Sequence, residues 1–250
     1  MRKYRFLVLL MVVLLTSCHS IPDSPQSQPK NTVLKKEEIT LNQQLIASAE
    51  KGETEKVLRL LEDGADINAI DERGRTAVVA ATYNNRIETV KALIQKKADI
   101  NIRDNQLNNV LLYAGAEGML DIVKLALEAG ADTKLTNRYG GTALIPASER
   151  GHVDVVEELL THSDIDVNHI NNLHWTALLE AVILGDGGEK HQKIVQLLVE
   201  HGADVTIGDR EGITALEHAQ NRGFHKIAKL LQDVEALVSK VFLIYRKIFI

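Results

Sequence analysis

The chain has a single cysteine, Cys18, so no internal disulfide and no thiolate zinc site can form. Aromatic residues make up only 4% of it, a supply that suits thin helical layers filled by Leu, Ile, Val and Ala better than a deep sandwich core. Positive charge is also short. Setting aside Arg2, Lys3 and Arg5 leaves 26 basic residues against 34 acidic ones, a net charge of −8. An acidic body argues against nucleic acid and against electrostatic attachment to anionic lipid. Catalytic signatures are missing as well: there is no Gly-x-Ser-x-Gly, no phosphate loop and no His-Glu-x-x-His. His162, Asp164, Asp166, His169 and His174 lie close together in sequence, but their spacing matches no metal-ligand pattern. No catalytic residue, cofactor site or metal site is therefore assigned.

What is present begins with an export signal. Residues 1–5 are basic, residues 6–15 are an unbroken apolar run, and Thr16, Ser17 and Cys18 follow. Ten apolar residues are too few to span a bilayer, which needs about 20, but they suit a signal peptide. The tetrad Leu15-Thr16-Ser17-Cys18 resembles the lipobox of bacterial lipoproteins. That resemblance implies cleavage after residue 17 and fatty acylation of Cys18, with two or three chains giving stable anchorage. With His19 rather than Asp after the cysteine, it further implies the outer membrane, facing the periplasm, in a Gram-negative host. In a Gram-positive host it implies the outer face of the plasma membrane. Residues 18–38 then read as a spacer. They hold Pro22, Pro25 and Pro29 among Ser, Gln, Asn and Lys, and cannot bury enough apolar surface to fold.

The body repeats. Gly-Ala-Asp recurs at Gly64, Gly130 and Gly202, with the variant Lys97-Ala98-Asp99 between. Thr-Ala recurs at Thr76, Thr142, Thr176 and Thr214, with Asn109 in the equivalent place, at steps of 33, 33, 34 and 38. A period near 33 with Thr-x-Leu-x-x-Ala resembles the ankyrin repeat family. The resemblance covers residues 42 to about 231 and implies an all-α solenoid of about six helix-turn-helix units joined by short β-hairpin-like turns. The residues support it independently. In 71–103, Asp71-Glu72-Arg73-Gly74 is turn chemistry, Thr76 can cap a short helix rich in Ala and Val, and Ile87, Val90, Leu93 and Ile94 form the apolar face of a second helix. The units are 42–70, 71–103, 104–136, 137–170, 171–208 and 209 to about 237. The solenoid as a whole takes 39–237, and the first unit, without the turn or the Thr phrase, reads as a cap.

Departures from the pattern carry further expectations. Leu107 stands where Gly is usual, and Lys97 and Ser163 stand where Gly ends an outer helix. A left-handed residue other than Gly there costs about 1–2 kcal/mol. The fourth unit has one extra residue, and the fifth has five within 185–192, either a neutral insertion or a loop that touches a partner. An ion pair among Glu149, Arg150 and Glu180 is expected across stacked helices, or else these charges line the concave groove. The tail, 238–250, is apolar with Lys240, Arg246 and Lys247. It either extends the last helix, lies on a membrane surface or has no role.

The ankyrin resemblance implies binding through hairpin tips and the concave face of the inner helices. The matching variable positions nominate Tyr83, Arg138, Tyr139, Arg150, Leu173, Trp175 and Ile183, with packing beneath a hairpin the alternative for Trp175. Aromatic and Arg anchors concentrate binding energy. The expected function is a monomeric interaction scaffold for a protein partner, held in the cell envelope by the lipid on Cys18. A sharper form is an inhibitor or protector of one periplasmic enzyme, and the acidic body favours a basic partner. The alternative of another class is an enzyme using Glu149, Glu180 and Asp186. A deep closed pocket at Glu180 would favour the enzyme, and an open groove the scaffold.

Overall fold

In a computed structural model, residues 40–248 are described, with side chains through residue 237. The signal, Cys18 and the spacer lie outside the described residues. Twelve helices follow one another as six antiparallel pairs: α1 (Leu41–Lys51) with α2 (Thr54–Glu62), α3 (Ala77–Tyr83) with α4 (Ile87–Gln95), α5 (Val110–Ala116) with α6 (Leu120–Glu128), α7 (Leu144–Glu149) with α8 (Val153–His162), α9 (Ala177–Ile183) with α10 (Glu189–Glu200), and α11 (Ala215–Asn221) with α12 (His225–Ile248). The odd-numbered helices stack as an inner row and the even-numbered ones as an outer row. This is the expected six-unit solenoid.

The inner helices are short because each starts at a fixed cap and stops where the chain must turn back. Thr76, Asn109, Thr176 and Thr214 each accept a backbone N–H from three residues on. The first unit does carry a Thr cap, Thr40, in a reciprocal capping box with Gln43. In α7 the pattern fails for a stated reason. Pro146 has no N–H to give Thr142 O, so Ile145 N takes that carbonyl at 3.3 Å, and the buried Thr142 hydroxyl is left without a partner. Small residues fill the inner row: Ala77, Ala80, Ala81, Ala114, Ala147, Ala177 and Ala181 are all buried. Leu93, Ile122, Leu159, Ile194 and Ile227 close the core from the outer row. Fully burying such side chains contributes about 1.5–3 kcal/mol each, and no helix pair could do so without its neighbours.

The loops that join units are hydrogen-bonded turns. Asp71, Asp104, Asn137, Asn171 and Asp209 each receive a backbone N–H from three residues on and donate their own to the carbonyl four residues on, as in Asp71 N to Arg75 O at 3.0 Å. Among the described residues these turns form no strand beyond one isolated bridge, Gly208 with Thr214. The turn requires a left-handed residue at 74, 107, 140, 174 and 212. Gly supplies it three times, and Leu107 (φ +59°) and His174 (φ +70°) supply it otherwise. Lys97 is left-handed as expected, at φ +68°. Ser163 is not. It is extended at φ −145°, because the extra residue of its unit lets the chain leave α8 without that turn, and its hydroxyl bonds Leu159 O at 2.6 Å.

A second ladder links units end to end. Asn68, Asn101 and Asn168 each accept, on Oδ1, the N–H of the following unit's Asp, at 99, 132 and 204. Where Lys134 replaces the Asn, Thr133 donates to Asp164 instead, at 2.6 Å. The five extra residues of the fifth unit divide between its connection and α10, which has 12 residues where α4 and α6 have nine. Beyond residue 237, α12 continues unbroken to Ile248, so most of the tail is a continuation of the last outer helix. No described helix is long and apolar enough to cross a membrane.

Candidate protein-binding groove

Nine residues after each turn Asx, one inner-helix position faces the hairpin. It holds Ala80, Tyr113, Pro146, Glu180 and His218 in successive units. The last two bond back to their turns: Asn171 Nδ2 donates to Glu180 Oε1 at 2.8 Å, and His218 Nε2 sits 2.7 Å from Asp209 Oδ2. Between the hairpins and the inner row lies a cleft of about 530 Å³ that runs from Tyr83 in the second unit to Leu184 in the fifth. An extended cleft over four units is a groove, and Glu180 is part of its lining.

Five of the seven nominated residues line it: Tyr83, Arg138, Tyr139, Arg150 and Leu173. Tyr139 and Leu173, at hairpin tips, are large side chains that stay 56% and 50% exposed. Arg138 lies over the Tyr139 ring, 4.8 Å from its centroid, and donates to the Tyr139 hydroxyl at 2.8 Å and to Gln106. Tyr83 stacks on Tyr113 with centroids 3.9 Å apart and donates its hydroxyl to Asp104. Burial and the Asp104 carboxylate push the Tyr83 phenol up to about 12, so it stays neutral and a donor. Trp175 and Ile183 do not line the groove. Both are half-buried against the core, and the Trp175 backbone N–H donates to Asn171 Oδ1 at 3.0 Å.

The expected ion pair among Glu149, Arg150 and Glu180 does not form. Arg150 reaches back one unit instead, to Glu117 Oε1 at 2.6 Å and Ala116 O at 2.9 Å. The last carbonyls of an inner helix carry partial negative charge, and that draws the guanidinium backwards. The same device recurs along the stack: Arg86 donates to Glu50 O, His191 Nε2 lies 2.9 Å from Glu149 O, and Arg222 donates to Val182 O at 2.8 Å. Glu180 is left at the groove floor, 4% exposed. Burial first, and the nearby Glu149 charge second, raise its carboxyl to about 7, against the opposing pull of Asn171. Asp186, the third acid of the enzyme alternative, is in the inserted connection, 2.7 Å from His191 Nδ1, and does not line the groove. Among the described residues no group of three or more His, Cys, Asp or Glu could hold a metal.

Glu149, Arg150 and Glu180 line the groove, the alternative expected for them, and Tyr113, Leu184 and Asn171 line it without having been nominated as binding residues. The signal was available. The variable positions chosen on the inner helices fall seven or eight residues after the cap, and the position four after it shares the same face.

Comparison with known proteins places these features in a family. The family model for ankyrin repeats (three copies) matches residues 30–104 and 110–209. The crystal structure of an ankyrin repeat domain from Acinetobacter baumannii AYE superposes with a TM-score of 0.75 and 47% identity, over 77% of this chain and 97% of that one. The ankyrin repeat protein EF0377 superposes with a TM-score of 0.73 and 41% identity, over 75% and 96%. A putative ankyrin repeat protein of Escherichia coli K12, YahD, is 56% identical over 75 residues, which are 30% of this chain. That match spans 37% of YahD's own length.

Proposed function

Because this chain belongs to the ankyrin repeat family, we propose that it is a non-catalytic scaffold that holds a protein partner in the groove while a lipid on Cys18 tethers it in the bacterial cell envelope. Ankyrin repeats generally mediate protein–protein interaction. The observation that carries the reading here is the convergence of exposed Tyr139 and Leu173 with Arg138 and Arg150 on one groove. Aromatic, aliphatic and Arg anchors around a concave surface are where interface energy concentrates. The tether rests on the basic start, the ten-residue apolar run and the placement of the only cysteine. The acidic body favours a basic partner and disfavours nucleic acid. The scaffold acts as a monomer, and an inhibitor or protector of one periplasmic enzyme is its sharper form.

The test is capture with the full chain from detergent-solubilised envelope, beside a variant carrying Tyr139→Ala and Leu173→Ala. One dominant protein lost in the variant is the expected result. The same set of proteins in both samples would move the working surface away from the groove. Labelled palmitate entering the wild-type chain but not Cys18→Ser establishes the tether, and equal labelling of both removes it.

A further inference from the structure

We propose that the floor of the groove is a subsite for one cationic side chain of the partner, an arginine or lysine received between Glu149 and Glu180. The inference rests on the groove reading above and names the chemistry of the occupant.

Glu149 and Glu180 come from neighbouring inner helices and line the same cleft. Glu149 ends α7, Glu180 lies within α9, and these two helices pack against each other. The two cations that could have neutralised them are engaged elsewhere: Arg150 with Glu117, and Arg138 with Tyr139 and Gln106. Among the described residues, no Lys, Arg or His forms an ion pair with either acid. Glu180 takes one hydrogen bond, from neutral Asn171 to Oε1, and Oε2 has none. A carboxylate buried to this degree is ordinarily paired or fully hydrogen-bonded. A cation entering by the groove would pair with the ionised form of this carboxyl.

The surroundings suit a cation better than other occupants. An acidic or phosphorylated side chain would meet the Glu149 charge and a carboxyl whose anion burial already disfavours. An apolar one would leave both acids without solvent or counterion. A metal ion would need more ligands than the described residues assemble. On the way to the floor a cation passes Tyr139 and Tyr113, and the Tyr139 ring already carries a guanidinium from Arg138 on one face. Two carboxylates on one wall match the planar fork of an arginine, and a lysine would satisfy them one at a time.

The experiment is selection of displayed seven-residue random peptides against the immobilised full chain, repeated with Glu149→Gln, Glu180→Gln and Tyr139→Ala. Both Gln variants keep side-chain shape and an acceptor for Asn171, and their thermal melts check the fold. Arg or Lys fixed at one peptide position is the expected result. Replacing that residue by citrulline or acetyl-lysine should weaken binding about tenfold in the wild type and much less in either Gln variant. Peptides that need Tyr139 but show an apolar or acidic consensus would overturn the subsite and leave the groove reading standing. So would a cationic preference unchanged in both Gln variants. If no selected peptide depends on Tyr139, the groove reading falls and the subsite with it.

Discussion

Asn171 Nδ2 donates to Glu180 Oε1 across 2.8 Å, a link between a turn and the helix it precedes. The corresponding turn residues at 71, 104 and 209 are Asp, which could not donate to a carboxylate. The Asn is what lets an acid sit at this point of the inner row.

Glu180 nevertheless destabilises the folded chain at high pH. Its folded carboxyl titrates near 7, above its unfolded value of about 4.3, so the folded state holds a proton that the unfolded state has lost in between. Stability therefore falls as pH rises through that window and is level above it. Glu180→Gln removes the term. Denaturant unfolding should show a gain on the order of 1–2 kcal/mol at pH 8, after allowance for groove solvent, and almost none at pH 4.5. An equal effect at both values would mean that ionisation is not the cause.

Lys97 is exposed and left-handed, and its backbone N–H already bonds Ile94 O at 2.9 Å. Lys97→Gly keeps that bond and removes the steric strain, less the added freedom of Gly in the unfolded chain. The expected gain is about 0.5–1 kcal/mol, read from the denaturation midpoint. A loss would show that the lysine stem contributes packing.

Arg75 ties the first unit to the rest. It is 6% exposed and pairs with Asp71 Oδ2 at 2.8 Å and Glu50 Oε1 at 3.0 Å. Burial would raise the Asp71 carboxyl, but the backbone and side-chain hydrogen bonds of Arg75 outweigh it and hold it below the usual range. That contribution is full above the unfolded pKa and is lost as pH falls through the folded one. Arg75→Ala should cost about 1–3 kcal/mol. Because stability in a solenoid is a sum of local terms, amides of 41–62 should exchange first. Unchanged protection there would refute the role.

His191 pins the insertion, with Nδ1 2.7 Å from Asp186 Oδ1 and Nε2 2.9 Å from Glu149 O. His191→Ala should cost about 1–2 kcal/mol and speed exchange at 185–188 above all. Uniform loss across the stack would point to core damage instead.

The fold was legible because its determinants are local and periodic. The step of about 33 between caps, the apolar spacing of Ile87, Val90 and Leu93, and turn residues such as Asp71 each act within a few positions. The groove was legible only in part. Tyr139 and Leu173 followed from their place at hairpin tips. The destination of Arg150 did not, because Glu117 and Glu180 lie on opposite sides of it and only three-dimensional packing chooses between them. The packing of Trp175 against the core was not legible either, because the direction of its side chain is not written in its neighbours. Ser163 shows that a single extra residue can cancel a backbone requirement that the rest of the repeat obeys.

The hydrogen bonds that join units have a bearing on how the chain comes into being. None among the described residues spans more than the 42 positions between Glu149 and His191, and most span 31–36. Loop closure is therefore brief at every stage, and no early segment has to wait for a distant one. A chain emerging from its N-terminal end can complete each pair of helices as soon as the next has appeared. At any moment only the growing end exposes an unpaired apolar layer, so assembly is stepwise and the surface at risk of aggregation stays one layer deep.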